Sequence, residues 1–248
     1  MSKNNNISIS LIVPALNEEK VIQKVLEDIY SIAKDSFNTF EIIAINDGSA
    51  DATLEMMNTF AEKHKNINII NNKVNIGLGA SFQAGLGQVK NEYVMLLCGD
   101  GGLPATSLPK IFEQVGNADL IIPYMSNLKT IKRPSRYVLS KAYVYLLNTV
   151  FGLNLNYYNG LPVYRKELLD KINITSSGFG FQAEIIIKLL KSGCTFHQVE
   201  VKGAEETGRS HALKFTNILS VANTFLHLIK EIVMFKPIVV DSTKTPRN

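Results

Sequence analysis

The chain has 248 residues, 46% hydrophobic and 19% charged, and its 26 basic and 22 acidic side chains leave a formal charge of +4. That is ample apolar material for one large domain, or for one domain with an appendage, while the small positive charge permits an anionic partner and selects none. No run of 18 apolar residues argues for a transmembrane span, residues 1–6 make a poor signal peptide, and Cys98 and Cys194 match no metal-ligand spacing and suit a reducing compartment.

In chain order, residues 7–13 form an apolar, β-rich run that predicts a buried strand ended by Pro14. Residues 18–33 carry Val21, Ile22, Val25, Leu26, Ile29 and Ile32 at helical spacing. Residues 40–45 predict a second strand, and Asp51 is placed to cap a helix bearing Leu54, Met57 and Phe60. A short strand over 67–70, a glycine turn at Gly77 and Gly79, a helix reaching Val89 and a fourth strand over 93–97 follow. A helical pattern over 104–116 and a strand over 118–123 complete this half. Strands alternating with helices predict an α/β fold with a mostly parallel central sheet flanked by helices on both faces.

The texture then changes. Residues 127–141 hold Lys129, Lys132, Arg133, Arg136 and Lys141 with no acid, and an aromatic-rich apolar helix is expected over 137–151. Residues 160–164 predict a strand or turn, 180–190 a helix closed by Gly193, 195–201 a strand, 215–235 an amphipathic helix with a break, and 241–248 a polar tail. The expected organisation is one domain over 1–214, including the helix near 135–151, then a helical segment over 215–240.

Four short patterns follow apolar runs or lead into helices: Pro14-Ala15-Leu16-Asn17-Glu18, Asn46-Asp47-Gly48-Ser49, Asn75-Ile76-Gly77-Leu78-Gly79, and Cys98-Gly99-Asp100-Gly101-Gly102. Open α/β sheets bind ligands at the carboxyl ends of their strands. Asp100, a carboxylate among glycines, is a natural place for a hard divalent cation beside phosphates. Each pattern alone reads first as a turn or a helix start with a capping residue.

In this order the patterns resemble the inverting glycosyltransferases of family 2, with their nucleotide-sugar-binding "A" fold, and most closely the branch of dolichol-phosphate mannose synthases and bacterial polyprenyl-phosphate sugar transferases. The resemblance implies that Pro14, Ala15, Leu16, Glu18, Asn46, Asp47, Gly77, Gly99 and Asp100 line a nucleotide-sugar site. Leu16 replaces the usual aromatic, Asn46 the first acid of the Asp-Asp pair, and Cys98 the first acid of the metal motif. Asp100 is then the sole protein carboxylate implied for Mg²⁺ or Mn²⁺, giving weakened metal binding. Arg133 and Arg136, followed by Ser140, match a stretch implied to meet a lipid phosphate. Arg165, Phe181 and Glu184 match acceptor-side segments that include Gly178-Phe179-Gly180-Phe181. Glu205 stands where an Arg belongs and His211 where a Lys does, while Arg209 is placed to supply a cation near the donor diphosphate. Asp100, Arg133, Arg136 and Arg209 are thus the implied catalytic set.

The resemblance implies transfer of a sugar from a nucleotide sugar to a polyprenyl- or dolichyl-phosphate-like lipid, by a protein held peripherally at the cytosolic face of a membrane. Two other readings remain open: transfer to a glycan hydroxyl, which needs a general base from Glu184 or Asp100, and a catalytically weak binding or regulatory protein. A homodimer through the apolar helices competes with membrane contact. Nucleic acid is not expected, because the basic residues lack interleaved aromatics.

Overall fold

The computed structural model describes residues 4–176, 178, 180–203 and 215–240. Its strands are β1 (Asn4–Ala15), β2 (Phe37–Asp47), β3 (Ile67–Asn72), β4 (Tyr93–Leu96), β5 (Leu120–Met125), β6 (Val163–Arg165) and β7 (Phe196–Val201). They form one sheet in the order β3-β2-β1-β4-β6-β5-β7. β1 pairs in parallel with β2 and β4, β2 with β3, and β5 with β7, while β6 runs antiparallel to both β4 and β5. Two reversals through β6 leave β5 and β7 pointing the same way as β1–β4. This is the α/β, largely parallel architecture expected.

The helices are α1 (Ile22–Ser36), α2 (Thr53–Ala61), α3 (Leu78–Leu86), α4 (Leu108–Phe112), α5 (Leu128–Ile131), α6 (Pro134–Phe151), α7 (Lys166–Leu169), α8 (Phe181–Lys191) and α9 (Phe215–Met234). Ile9, Leu11, Ile12 and Val13 are completely buried, as a strand covered on both faces requires. On one face Gly85 of α3 packs so closely that an added Cβ would lie 2.7 Å from Ile12. Three residues on, Ala15 points to the opposite face, where α1 buries Ile22, Leu26, Ile29 and Ala33 at helical spacing. Truncating Leu26 to alanine would cost about 2–5 kcal/mol.

Several boundaries differ from those expected. Pro14 does not end β1: its carbonyl accepts from Gly99 N at 2.9 Å, and pairing continues to Ala15. α1 starts at Ile22 because residues 18–21 form a turn in which Val21 N and Ile22 N donate to Glu18 O. Residues 104–116 divide into a 3-10 turn (Ala105–Ser107), the short α4 and a turn at Gly116, whose φ is +98°. α9 runs without a break from Phe215 to Met234. α5 and α7, each four residues long, were not foreseen.

One edge of the sheet therefore collects the segments after β1, β2, β3 and β4. The chain leaving β5 toward α5 and α6 starts from this edge too. β6 begins there and, being antiparallel, ends at the other.

Candidate functional site

The crevice lies where β1 and β4 neighbour each other in the middle of the sheet. Leu97 N donates to Ile12 O at 2.8 Å, and Gly99 N to Pro14 O at 2.9 Å, extending the ladder beyond β4. A Cβ on Gly99 would lie 2.6 Å from that of Ala15, so only glycine fits this approach. Asp100 is exposed, and its Oδ1 accepts from Gly102 N at 2.8 Å. Cys98 is half-buried, and its thiol is pushed up to about 12, first by burial and then by Asp100 and Glu18.

The segment after β1 is fastened to the segment after β2. Asn17, in a left-handed conformation (φ 57°), donates from its N–H to Ser49 Oγ and accepts from Ala50 N on Oδ1. Glu18 N donates to Thr53 Oγ1 at 2.8 Å, and Glu19 Oε2 accepts from Ala52 N. Asp51 accepts from Glu19 N, from Thr53 N and from the Thr53 hydroxyl, the last being the largest influence holding its carboxyl below the usual range. The Glu18 carboxyl is shifted the other way, raised by burial and then by the charges of Asp100 and Asp51. Glu18 and Asp100 thus face one electrostatic environment, a negative rim to the crevice.

Asn46 and Asp47, at the end of β2, are buried and serve their own chain. Asp47 accepts from Ile76 N and Gly77 N, both at 3.0 Å, and from Asn72 Nδ2 at 3.1 Å. Burial alone would raise its carboxyl, but these donors and Ser81 hold it below the usual range. Gly77 (φ +87°) then opens α3. Gly48 (φ +76°) lies beneath this loop, where a Cβ would strike the Val74 and Asn75 backbone at 2.5 Å. Asn46 Nδ2 donates to Asn71 Oδ1 at 2.8 Å, and its Oδ1 accepts from Ser49 N. The Asn71 and Asn72 contributions were missed in the sequence, although two asparagines closing an apolar strand were a visible signal.

Arg133 is exposed just before α6, and Arg136 is half-buried in its first turn. Both follow β5, whose carboxyl end lies at the same edge of the sheet as those of β1–β4. Lys132 Nζ donates to Tyr157 OH at 3.2 Å.

Three acceptor-side expectations need correction. Arg165 pairs in register with Tyr93 at the start of β4, so it sits on the order of 20 Å along the strand from Asp100. There its guanidinium meets Tyr93 OH at 3.1 Å and Asp119 Oδ1 at 3.3 Å. A cleft beside it, about 640 Å³ and lined by Lys90, Glu92 and Lys166, belongs to this far end. Phe181 is 2% exposed and packs on Phe82, with ring centroids 5.5 Å apart. Glu184 is completely buried, accepting from Thr175 N, Thr175 Oγ1 and Ser176 N and pairing with Lys188 Nζ at 2.5 Å. Burial opposes ionisation there, yet Lys188 and the loop donors hold the carboxyl below its usual range. A carboxylate so engaged braces Thr175 and Ser176 rather than standing free as a base. Phe179, Glu205, Arg209 and His211 lie outside the described residues.

Residues 10–188 match the profile of the family described as Glycosyl transferase family 2. The dolichyl-phosphate beta-glucosyltransferase ALG5A of Trichomonas vaginalis is 41% identical over 147 residues, covering 54% of this chain and 46% of that protein. The undecaprenyl-phosphate mannosyltransferase of Micrococcus luteus is 27% identical over 210 residues, covering 80% of this chain and 85% of its own. The chain spans less than half the length of the three Trichomonas relatives it matches. In fold it is similar to the glucosyl-3-phosphoglycerate synthase of Mycobacterium tuberculosis crystallised with Mn²⁺, UDP-glucose and phosphoglyceric acid, with a TM-score of 0.70 over 96% of this chain and 82% of that one, at 17% identity.

Proposed function

The chain belongs to glycosyl transferase family 2, and from that premise we propose that it moves a sugar from a nucleoside-diphosphate sugar to a polyprenyl- or dolichyl-phosphate-like lipid, with inversion. Within the family we assign it to the branch that includes the dolichol-phosphate mannose synthases. The observation that carries the proposal is Asp100, exposed on its glycine turn in the crevice between β1 and β4. The names of the relatives from Trichomonas and Micrococcus support the lipid-phosphate acceptor.

The acceptor phosphate is already ionised at neutral pH. One of its oxygens attacks the anomeric carbon from the side opposite the nucleotide, the bond from that carbon to the β-phosphate oxygen breaks, and the nucleoside diphosphate leaves with the electron pair. No proton has to be removed, so this chemistry needs positioning and charge stabilisation rather than a base. The engagement of Glu184 in its own loop is compatible with that and disfavours a hydroxyl acceptor. Arg133 and Arg136 are proposed to pair with the acceptor phosphate, and Arg209 with the donor diphosphate.

Among the described residues no three His, Cys, Asp or Glu side chains gather into a metal cage. A single exposed carboxylate still fits an ion whose other ligands are diphosphate oxygens and water. Asp100 is therefore the residue proposed to hold Mg²⁺ or Mn²⁺, which when bound neutralises charge on the leaving diphosphate.

Among the described residues no helix is long and apolar enough to cross a membrane. α6 buries Val144, Leu147 and Phe151 but exposes Val138, Leu139, Tyr145, Leu146 and Val150, directly after the acid-free basic stretch. Such a helix suits the headgroup region of an anionic bilayer, at the cytosolic face in this reading.

A screen of UDP-, GDP- and dTDP-sugars against polyprenyl phosphate, read by nucleotide release, tests the function. Turnover that requires both a nucleotide sugar and the lipid phosphate is expected. Turnover only with a glycan acceptor would refute the reading.

A further inference from the structure

We infer that Asn71 is a specificity-determining residue of the donor site, holding its side-chain NH₂ outward to donate to a carbonyl oxygen of the nucleobase. This rests on the nucleotide-sugar reading above and adds how the base is read.

The argument starts from register. Asn46 of β2 lies beside Asn71 of β3, and Asp47 beside Asn72. Consecutive side chains in a strand point to opposite faces. Asp47 and Asn72 turn toward α3, where Asn72 Nδ2 reaches Ser81 Oγ at 3.3 Å. Asn46 and Asn71 therefore share the other face, in line with Ala15 of β1, which is in register with Asn46.

The orientations of the two amides follow from one backbone group. Ser49 N–H can only donate, so the atom of Asn46 that meets it, at 3.2 Å, has to be Oδ1. That turns Asn46 Nδ2 toward Asn71, whose facing atom at 2.8 Å has to be Oδ1. Asn71 Nδ2 is left on the far side of its amide. It has no acceptor among the described residues, and Asn71 is exposed at the crevice end of β3 while Asn46 is 3% exposed.

The polarity would reverse with a carboxylate at position 46, the residue type to which the resemblance points. Such a group only accepts, so Asn71 would turn its NH₂ inward and its carbonyl outward. Asparagine at 46 thus converts this rim from an acceptor to a donor. Uracil, thymine and guanine each carry a ring carbonyl that takes such a donor.

The test is calorimetric binding of UDP, GDP, dTDP and inorganic pyrophosphate to the full chain and to its Asn71→Asp, Asn71→Ala and Asn46→Asp variants. Asn71→Asp keeps an acceptor for Asn46 Nδ2 while deleting the outward donor. Each variant is expected to weaken the tightest-binding nucleotide about tenfold and leave pyrophosphate within about twofold, and Asn71→Asp, which keeps the acceptor for Asn46, to keep the native melting temperature within about 2 °C. Native base preference retained in all three variants, or an equal loss for pyrophosphate, would overturn the assignment to Asn71 alone. Failure of the native chain to bind any of the three nucleotides would remove the donor reading and this inference together.

Discussion

Carboxylates with nearly the same sequence signal have different tasks in this molecule. Among the described residues Asp100 accepts one hydrogen bond, from Gly102 N, and it is exposed. Replacing it with asparagine is expected to leave the melting temperature unchanged and to lower the transfer rate ~100-fold, the scale of losing one charge-stabilising group. Asp47 instead satisfies the amides of Ile76 and Gly77. Asp47→Ala leaves these amides without their acceptor and should cost about 1–3 kcal/mol in denaturant unfolding. Glu184→Gln breaks a buried pair with Lys188 and should cost on the order of 3 kcal/mol. A Glu184→Gln protein of native stability whose pH–rate profile loses its acidic limb would show that Glu184 is a base after all. The pH dependence follows from the shifts. Asp47 and Glu184 are depressed in the folded state, so their contribution is present above the ordinary carboxylate range and is lost as pH falls through their folded values. Glu18 is raised, so its contribution has the opposite sign, present at low pH and lost as pH rises through its folded value. With three depressed carboxyls, Asp51 being the third, against one raised among the described residues, unfolding monitored by circular dichroism should set in as pH drops below about 4.

At the scale of elements, the strands were legible because their apolar runs are continuous, and the turns after β2 and β4 because glycine and aspartate mark them. The division of 104–116 was not, since Pro104, Pro109 and Gly116 interrupt a pattern whose apolar spacing alone reads as one helix. The reversal of β6 was also hidden: a three-residue strand has too little periodicity to reveal its direction, and with it the displacement of Arg165 to the far edge. The bracing role of Glu184 depends on partners 8 and 9 residues away in a loop, which no helical spacing announces. α6 carries the element-scale prediction. Co-sedimentation with anionic vesicles should weaken with salt and fall further in the Arg133→Ala/Arg136→Ala double variant, since each juxtamembrane cation contributes about 1 kcal/mol. Vesicle binding that ignores both salt and the two arginines would contradict a headgroup-level helix.

For the whole molecule, the sheet order brings the carboxyl ends of β1–β5 to one edge, which is where both substrates are proposed to meet. The segments after β1, β2, β3 and β4 are the proposed donor side, and β5, restored to the same direction by β6, ends at the same edge, ahead of the stretch that carries Arg133 and Arg136. The central claim is that the acceptor is an ionised lipid phosphate requiring no base, and it is tested most directly by product partition. The chain is incubated with a labelled nucleotide sugar and either polyprenyl phosphate or the corresponding polyprenol, and label entering the organic phase is measured. The account predicts organic-phase label with the phosphate, released as free sugar by mild acid, and none with the alcohol. Equal labelling of the alcohol, or label that resists mild acid, would contradict it.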